Sequence, residues 1–272
     1  RSLKSKQGYL IGLIVADIGN VYTMYLIKAV QDALSDTKYQ LVVMSTDNSL
    51  EKETHALKEL AGQDIAGLIL QPVGRADSPY EILTTLQVPV VLIDRYLETV
   101  PLPSVVTDNF TVTRRLGQQI AGAGYDKLVH VTHPLCGQTV RQHRYDAMML
   151  TAFEAKMELK LIESPIGRGI TPEEIRQEIN GRTMFFGANG NVLQELVTAC
   201  KKGEIRYPEE IGLTGFDDWF WADLLTPTVT SIHQQPAEIG RQSLEYLLAA
   251  INGEAFAGRL EIAASIFQGK SI

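Results

Sequence analysis

Gly212-Leu-Thr-Gly-Phe-Asp-Asp-Trp219, with Leu225-Thr-Pro-Thr-Val-Thr-Ser-Ile-His-Gln-Gln-Pro236 close behind it, is the stretch on which the fold assignment turns. A short apolar strand ends at Thr214, Gly215 lets the backbone turn freely, and Asp217, Asp218 and Trp219 follow at the strand's carboxyl end. Open α/β sheets place their ligands at that end. A second strand over 228–232 leads through Gln234 and Gln235 into a helix that Pro236 opens. Together these predict one polar wall of a pocket of about sugar size.

The chain on either side repeats one pattern. Leu10–Val15 is an apolar run suited to a strand buried on both faces, and it ends in Ala16-Asp-Ile-Gly-Asn20. Tyr22, Tyr25, Leu26, Ala29, Val30 and Leu34 then recur at helical spacing. Further strands are predicted over 39–44, 67–70, 88–93 and 104–107. Helices fall between them, one opened by a capping box of Asn48 and Glu51 and running to Leu60, one over 80–86. Asn109 reads as the cap of a helix reaching Ala123. The alternation then restarts, with strands over 127–132, 159–162, 183–186 and 212–214 and helices over 139–155, 172–179 and 189–201. A long helix over 236–251 and a last strand over 260–267 complete it. Strand–helix alternation of these lengths implies parallel sheets with right-handed crossovers.

At 272 residues the chain exceeds what one compact core usually organises, so two lobes are expected. Its hydrophobic share of 45% and charged share of 21% are those of an ordinary soluble globular protein. A net charge of −7 makes a poor platform for a phosphate backbone, so these residues by themselves are not expected to grip DNA. No apolar run approaches the ~18 residues of a membrane span. The basic, polar start Arg1-Ser-Leu-Lys-Ser-Lys-Gln7 lacks the apolar core of a signal peptide, which points to the cytoplasm. Cys136 and Cys200 read as two reduced thiols, not as a disulfide or zinc pair.

Residues at strand ends face the crevice whatever the detailed topology. In the first half these are Asp17, Asn20, Tyr22, Gln71, Asp94 and Arg95; in the second, His133, Arg144, Asn189, Asp217, Trp219 and Gln234. Carboxylates, amides and a guanidinium with aromatics beside them suit a polyhydroxylated ligand, because each hydroxyl both donates and accepts and a ring face covers the apolar side of a sugar. Plainer readings stand beside these. Asp17 and Asp217 also fit turn or cap positions, Asn189 an N-cap, Arg144 a solvated charge, and Trp219 and Trp221 lobe packing. Enzyme readings are weaker. No Gly-rich phosphate loop follows the first strand, and no Gly-x-Ser-x-Gly elbow occurs. His130, His133 and Cys136 sit on one strand-to-loop segment that supplies too few ligands for a metal. Asp217 and Asp218, as neighbours, would point apart instead of forming an acid–base pair. Neither catalysis, cofactor nor metal is expected.

Several blocks resemble the LacI/GalR transcriptional regulators: Ile11-Gly-Leu-Ile-Val-Ala-Asp-Ile-Gly-Asn20, Val90-Val-Leu-Ile-Asp-Arg95, Val106-Thr-Asp-Asn109, Arg144-Tyr-Asp-Ala147, Ala188-Asn189, Gly215-Phe-Asp-Asp218, Thr226-Pro-Thr-Val-Thr-Ser-Ile232 and Glu238-Ile-Gly-Arg241. They occur in order over nearly the whole chain; periplasmic sugar-binding proteins share the fold and some of the blocks. The resemblance implies an α/β fold of two Rossmann-like lobes of the type I periplasmic-binding-protein kind, joined by three crossovers, one at Gln234 to Pro236. The first lobe would be 8–109 plus 236–256 and the second 110–235 plus 257–272, with the helix-turn-helix headpiece that reads operator DNA absent from these residues. It implies effector contacts at Asp17, Tyr22, Asp94, Arg144, Asn189 and Asp217, and a homodimer without catalytic activity. Val21, Gly190 and His133-Pro134 depart from the residues usual in such regulators; His133 with Arg144 would favour a sugar acid over a neutral sugar. The alternative is a periplasmic sugar-binding protein of a transport system.

Overall fold

A computed structural model describes residues 8–74, 80–135, 137–217, 221–254 and 256–272. The basic start over 1–7, Cys136, Asp218 and Trp219 lie outside them. In chain order the elements are β1 (Leu10–Val15), α1 (Val21–Leu34), β2 (Gln40–Ser45), α2 (Leu50–Ala61), β3 (Ile65–Leu70), α3 (Glu81–Thr85), β4 (Val90–Ile93), β5 (Ser104–Thr107), α4 (Asn109–Gly122), β6 (Lys127–Thr132), α5 (Thr139–Ala155) and β7 (Glu158–Glu163). There follow α6 (Pro172–Glu178), β8 (Thr183–Gly187), α7 (Gly190–Lys202), β9 (Gly212–Phe216), a 3-10 turn over Ala222–Leu224, β10 (Thr230–His233), α8 (Pro236–Ile251), β11 (Arg259–Ile262) and β12 (Ser265–Phe267).

The first unit comprises 1–107, 137–139 and 235–262. Its sheet runs β11-β5-β4-β3-β1-β2, and every pairing is parallel. β1, β3 and β4 carry little but Val, Ile, Leu and Gly and are buried on both faces, as helices on either side of a parallel sheet require. Leu57, Leu60, Leu68, Leu70 and Leu92 fill one core of this unit. α8 packs against α1 and against β3, β4 and β5. The chain thus returns to this unit from well down the sequence to cover it.

The second unit comprises 108–136, 140–234 and 263–272. Its sheet runs β12-β10-β9-β8-β6-β7, parallel except for the antiparallel β10–β12 pair. The two-residue period of a strand divides its side chains between two cores. Val129, Val131, Phe185 and Leu213 enter one with Leu193 and Leu196 of α7, while Leu128, Met184, Phe186 and Phe216 enter the other with Leu116 of α4 and Met148 of α5.

Several local expectations are corrected. Ser49, not Asn48, caps α2 by accepting from Lys52 N; Asn48 adopts a left-handed conformation with φ of 55° and accepts from the Arg95 guanidinium. Asp108 caps α4 by accepting from Thr111 N, leaving the Asn109 side chain for another task. The last strand is two strands, β11 completing the first sheet and β12 the second, so 257–262 belong with the first unit. Strand β9 runs through Gly215 to Phe216, and the turn comes at Asp217, φ 57°. Gly215 serves close approach instead: a Cβ there would lie 2.5 Å from the Gly187 carbonyl oxygen and 3.1 Å from Leu193.

Candidate functional site

Parallel strands carry their carboxyl ends to one edge of each sheet, and the expected residues sit there. In the first unit Asp94 follows β4 in a left-handed conformation, φ 66°, and is 6% exposed. Non-glycine residues adopt this region uncommonly, Asp and Asn most readily, and do so where surroundings hold them. Gln71, at the end of neighbouring β3, holds it: its Nε2 donates to Asp94 Oδ2 at 2.8 Å while its Oε1 accepts from Ala16 N at 2.8 Å, tying the ends of β1, β3 and β4 together. The half-buried Arg95 guanidinium donates to Asn48 Oδ1 and to the Pro72 carbonyl, with Nε 3.6 Å from Asp94 Oδ2. Burial lowers its pKa, and the nearby Asp94 and Glu53 charges oppose that. Asp17 accepts from Gly19 N at 2.8 Å, so one carboxylate oxygen shapes the β1–α1 loop, as its plainer reading has it. Asn20 caps α1 by accepting from Tyr22 N, which sets the buried Tyr22 in the first turn.

In the second unit Asp217 follows β9, which occupies the same place in its sheet as β4 does in the first, third from the edge formed by the last strand. It too is left-handed and buried, and its Oδ2 accepts from Gln234 Nε2 at 2.7 Å. Gln234 comes from the end of β10, on the opposite flank from Gln71's strand in the first unit. Each sheet therefore presents, at matching positions, a carboxylate oriented by a glutamine amide.

Arg144 is 3% exposed, against its plainer reading as a solvated charge. Its Nε donates to Asn109 Oδ1 at 2.7 Å, one Nη to the Ala188 carbonyl at 2.6 Å, and its Cζ lies 3.5 Å from the centre of the Phe216 ring. A guanidinium held by two acceptors and an aromatic face is pre-organised for a polar ligand. Asn189 caps α7 through Val192 N, and its Nδ2 lies 3.5 Å from His133 Nδ1. His133 is buried, and desolvation first, then Arg141, lowers its pKa to about 4, so the ring is neutral near pH 7. Gly190 explains a departure from the usual residues: a Cβ there would stand 2.5 Å from the Asp217 carbonyl oxygen. Trp221 packs half-buried against the second-unit core. Asn109 and Phe216, which hold Arg144, escaped the sequence reading because a residue after Asp at a helix start and an apolar strand residue give no signal of their partner.

Among the described residues no three His, Cys, Asp or Glu side chains gather as a metal would need. The buried Cys200 thiol is pushed up to about 12 by desolvation, far from a reactive thiolate.

Two mostly parallel sheets, each carrying polar and charged side chains at its carboxyl edge, define an α/β ligand-binding fold. The chain belongs to the periplasmic-binding-protein-like family: the family described as periplasmic binding proteins and sugar binding domain of LacI family matches residues 9–162, and the one described as periplasmic binding protein-like domain matches residues 118–272. The HTH-type transcriptional regulator KdgR of Bacillus subtilis is 28% identical over 100% of this chain and 83% of its own length. The HTH-type transcriptional regulator PtxS of Pseudomonas putida is 29% identical, over 95% and 77%. A periplasmic binding protein/LacI transcriptional regulator from Alkaliphilus metalliredigens, solved with D-xylulofuranose, shares the fold at a TM-score of 0.85 with 22% identity, covering 97% of this chain and 99% of that one.

Proposed function

We propose that this chain is the effector-binding core of a LacI-type transcriptional regulator, which takes a sugar or sugar acid and passes the change to operator DNA through a helix-turn-helix segment beyond these 272 residues. Asp94 and Asp217, each oriented by a glutamine, accept from ligand hydroxyls; Arg144 and Asn189 donate, Asp17 and Tyr22 add further contacts, and Gln234 acts through Asp217. Ligand shifts the population of the protein's conformations by its differential affinity for them. The protein works without catalysis, as a cytoplasmic homodimer.

The matched Asp–Gln pairs on equivalent strands carry this reading, since a carboxylate with a fixed orientation is what recognises one hydroxyl geometry. The regulator names of the curated relatives favour it over a transport protein. Among the described residues no helix is long and apolar enough to cross a membrane. Thermal-shift screening of neutral sugars, sugar acids and phosphosugars tests it, because a ligand at a hundredfold excess over its Kd stabilises by about 2.7 kcal/mol. One class should raise the Tm of the wild type and leave Asp217→Ala and Arg144→Ala unmoved. A shift unchanged in both variants would overturn the site, and tight binding of neutral hexoses without sugar acids would overturn the sugar-acid preference that the Arg144 guanidinium supports.

A further inference from the structure

Asn-Gly occurs three times in the chain, at 180–181, 189–190 and 252–253. An Asn side chain can cyclise onto the next backbone nitrogen, and glycine leaves that approach open because it has no Cβ and a freely turning backbone. The fold sets the three pairs apart. Asn189 and Gly190 stand at the carboxyl end of β8, where Asn189 Oδ1 accepts from Val192 N as the cap of α7 and the Asp217 carbonyl oxygen crowds Gly190. Asn252 and Gly253 follow α8 on the surface, but Gly253 N donates to the Ala250 carbonyl at 3.1 Å. Cyclisation would have to break a hydrogen bond at either place.

Asn180 and Gly181 lie at the amino end of β8, and both are exposed. Among the described residues neither the Asn180 side chain nor Gly181 N makes a hydrogen bond. Thr183 Oγ1 anchors only the Asn180 main chain, accepting from its N and donating to its carbonyl, each at 3.0 Å. We infer that Asn180 is a self-modification site, its side-chain amide converting to a carboxylate by cyclisation onto Gly181 N. The Gly181 nitrogen gives its proton to water and bonds to Asn180 Cγ; the Cγ–Nδ2 bond breaks, and ammonia leaves after taking up a proton in return. Water then opens the cyclic imide at either of its carbonyls, leaving aspartate or isoaspartate. Water is the only co-reactant. Either product sets a new carboxylate near Asp126, whose Oδ2 lies 2.8 Å from where a Gly181 Cβ would be. The site stands at the opposite end of β8 from Asn189 and is independent of the effector reading.

Peptide mass spectrometry of the folded chain held in mildly alkaline buffer tests it. The carboxylate at 180 should accumulate at least ~fivefold faster than at 189 or 252, the factor by which one intact hydrogen bond slows a step that must break it. It should appear as two isomeric peptides of equal mass, as opening of the imide at either carbonyl requires. In urea, where all three pairs lose their surroundings, the three rates should converge. Absence of conversion at 180 overturns the inference, as does conversion at 189 or 252 that keeps pace with it in the folded chain. A single isomer at 180 rules out the cyclic route. A preference for 180 that persists unchanged in urea overturns the assignment to the fold.

Discussion

At Gly190 the second unit has no room for a side chain, because the Asp217 carbonyl oxygen fills the space a Cβ would take. Asp217 stands there because its left-handed turn brings its backbone over the first residue of α7. Gly190→Asp therefore should displace the β9 exit, cost about 1–3 kcal/mol in urea unfolding and abolish any effector-induced Tm shift. Full stability and ligand response in that variant would show the contact to be slack. His130 presents a different residue-scale effect. It is fully buried between Tyr145 and Phe186, and neither ring nitrogen has a hydrogen-bond partner among the described residues. Desolvation, with Arg144 adding repulsion, lowers its pKa from 6.5 to about 3. A depressed histidine pKa means that the unfolded chain takes up the proton first. The stability it permits is present above about pH 6.5 and is lost as pH falls toward 3. Between pH 7 and 4.5 that loss is on the order of 2–3 kcal/mol. His130→Leu should remove it from the pH dependence measured by denaturant titration, and an unchanged acid limb would refute the assignment.

At the scale of elements, the start of α4 separates two roles that adjacent residues share. Asp108 makes the cap and Asn109 holds Arg144. Asp108→Ala should cost about 1 kcal/mol, the usual value of a cap. Asn109→Ala should cost more, about 2–3 kcal/mol, because a buried guanidinium loses an acceptor. Urea unfolding of the two variants checks the order, and equal costs would refute the division of labour. The same segment shows what a sequence discloses. Helices α1 and α8 are legible from their apolar spacing and β1 from its apolar run, because apolar pattern is a local property. Which of Asp108 and Asn109 caps is not, since the competing partner of Asn109 lies 35 residues away on α5. Gly215 reads from the sequence as a turn and is a close-approach position, a distinction set by Gly187 and Leu193 and invisible from Gly215 alone. The stretch 260–267 reads from the sequence as one strand; the structure breaks it at Ala263 and Ala264, where the chain leaves the first unit. Among the proposed site residues, strand-end position singles out Asp94, Asp217 and Gln234, whereas the Gln71–Asp94 bond spans 23 residues and depends on the sheet order.

At the scale of the whole molecule, neither unit is continuous. Apart from a three-residue return at 137–139, the chain passes from the first to the second after Thr107, back after Gln234, and to the second again after Ile262. Strands β11 and β12, which complete the two sheets, both come from the last 14 residues, Arg259 to Ile272, and α8, which covers α1 and three first-unit strands, comes just before them. On a ribosome adding about 5–20 residues each second, β1 to β5 emerge long before the helix that buries one of their faces and the strand that closes their edge. An uncovered strand edge is a template for mispairing. A nascent chain interrupted anywhere before residue 236 therefore shows chaperones and proteases the bare apolar face of its first unit, even when more than four-fifths of it has been made.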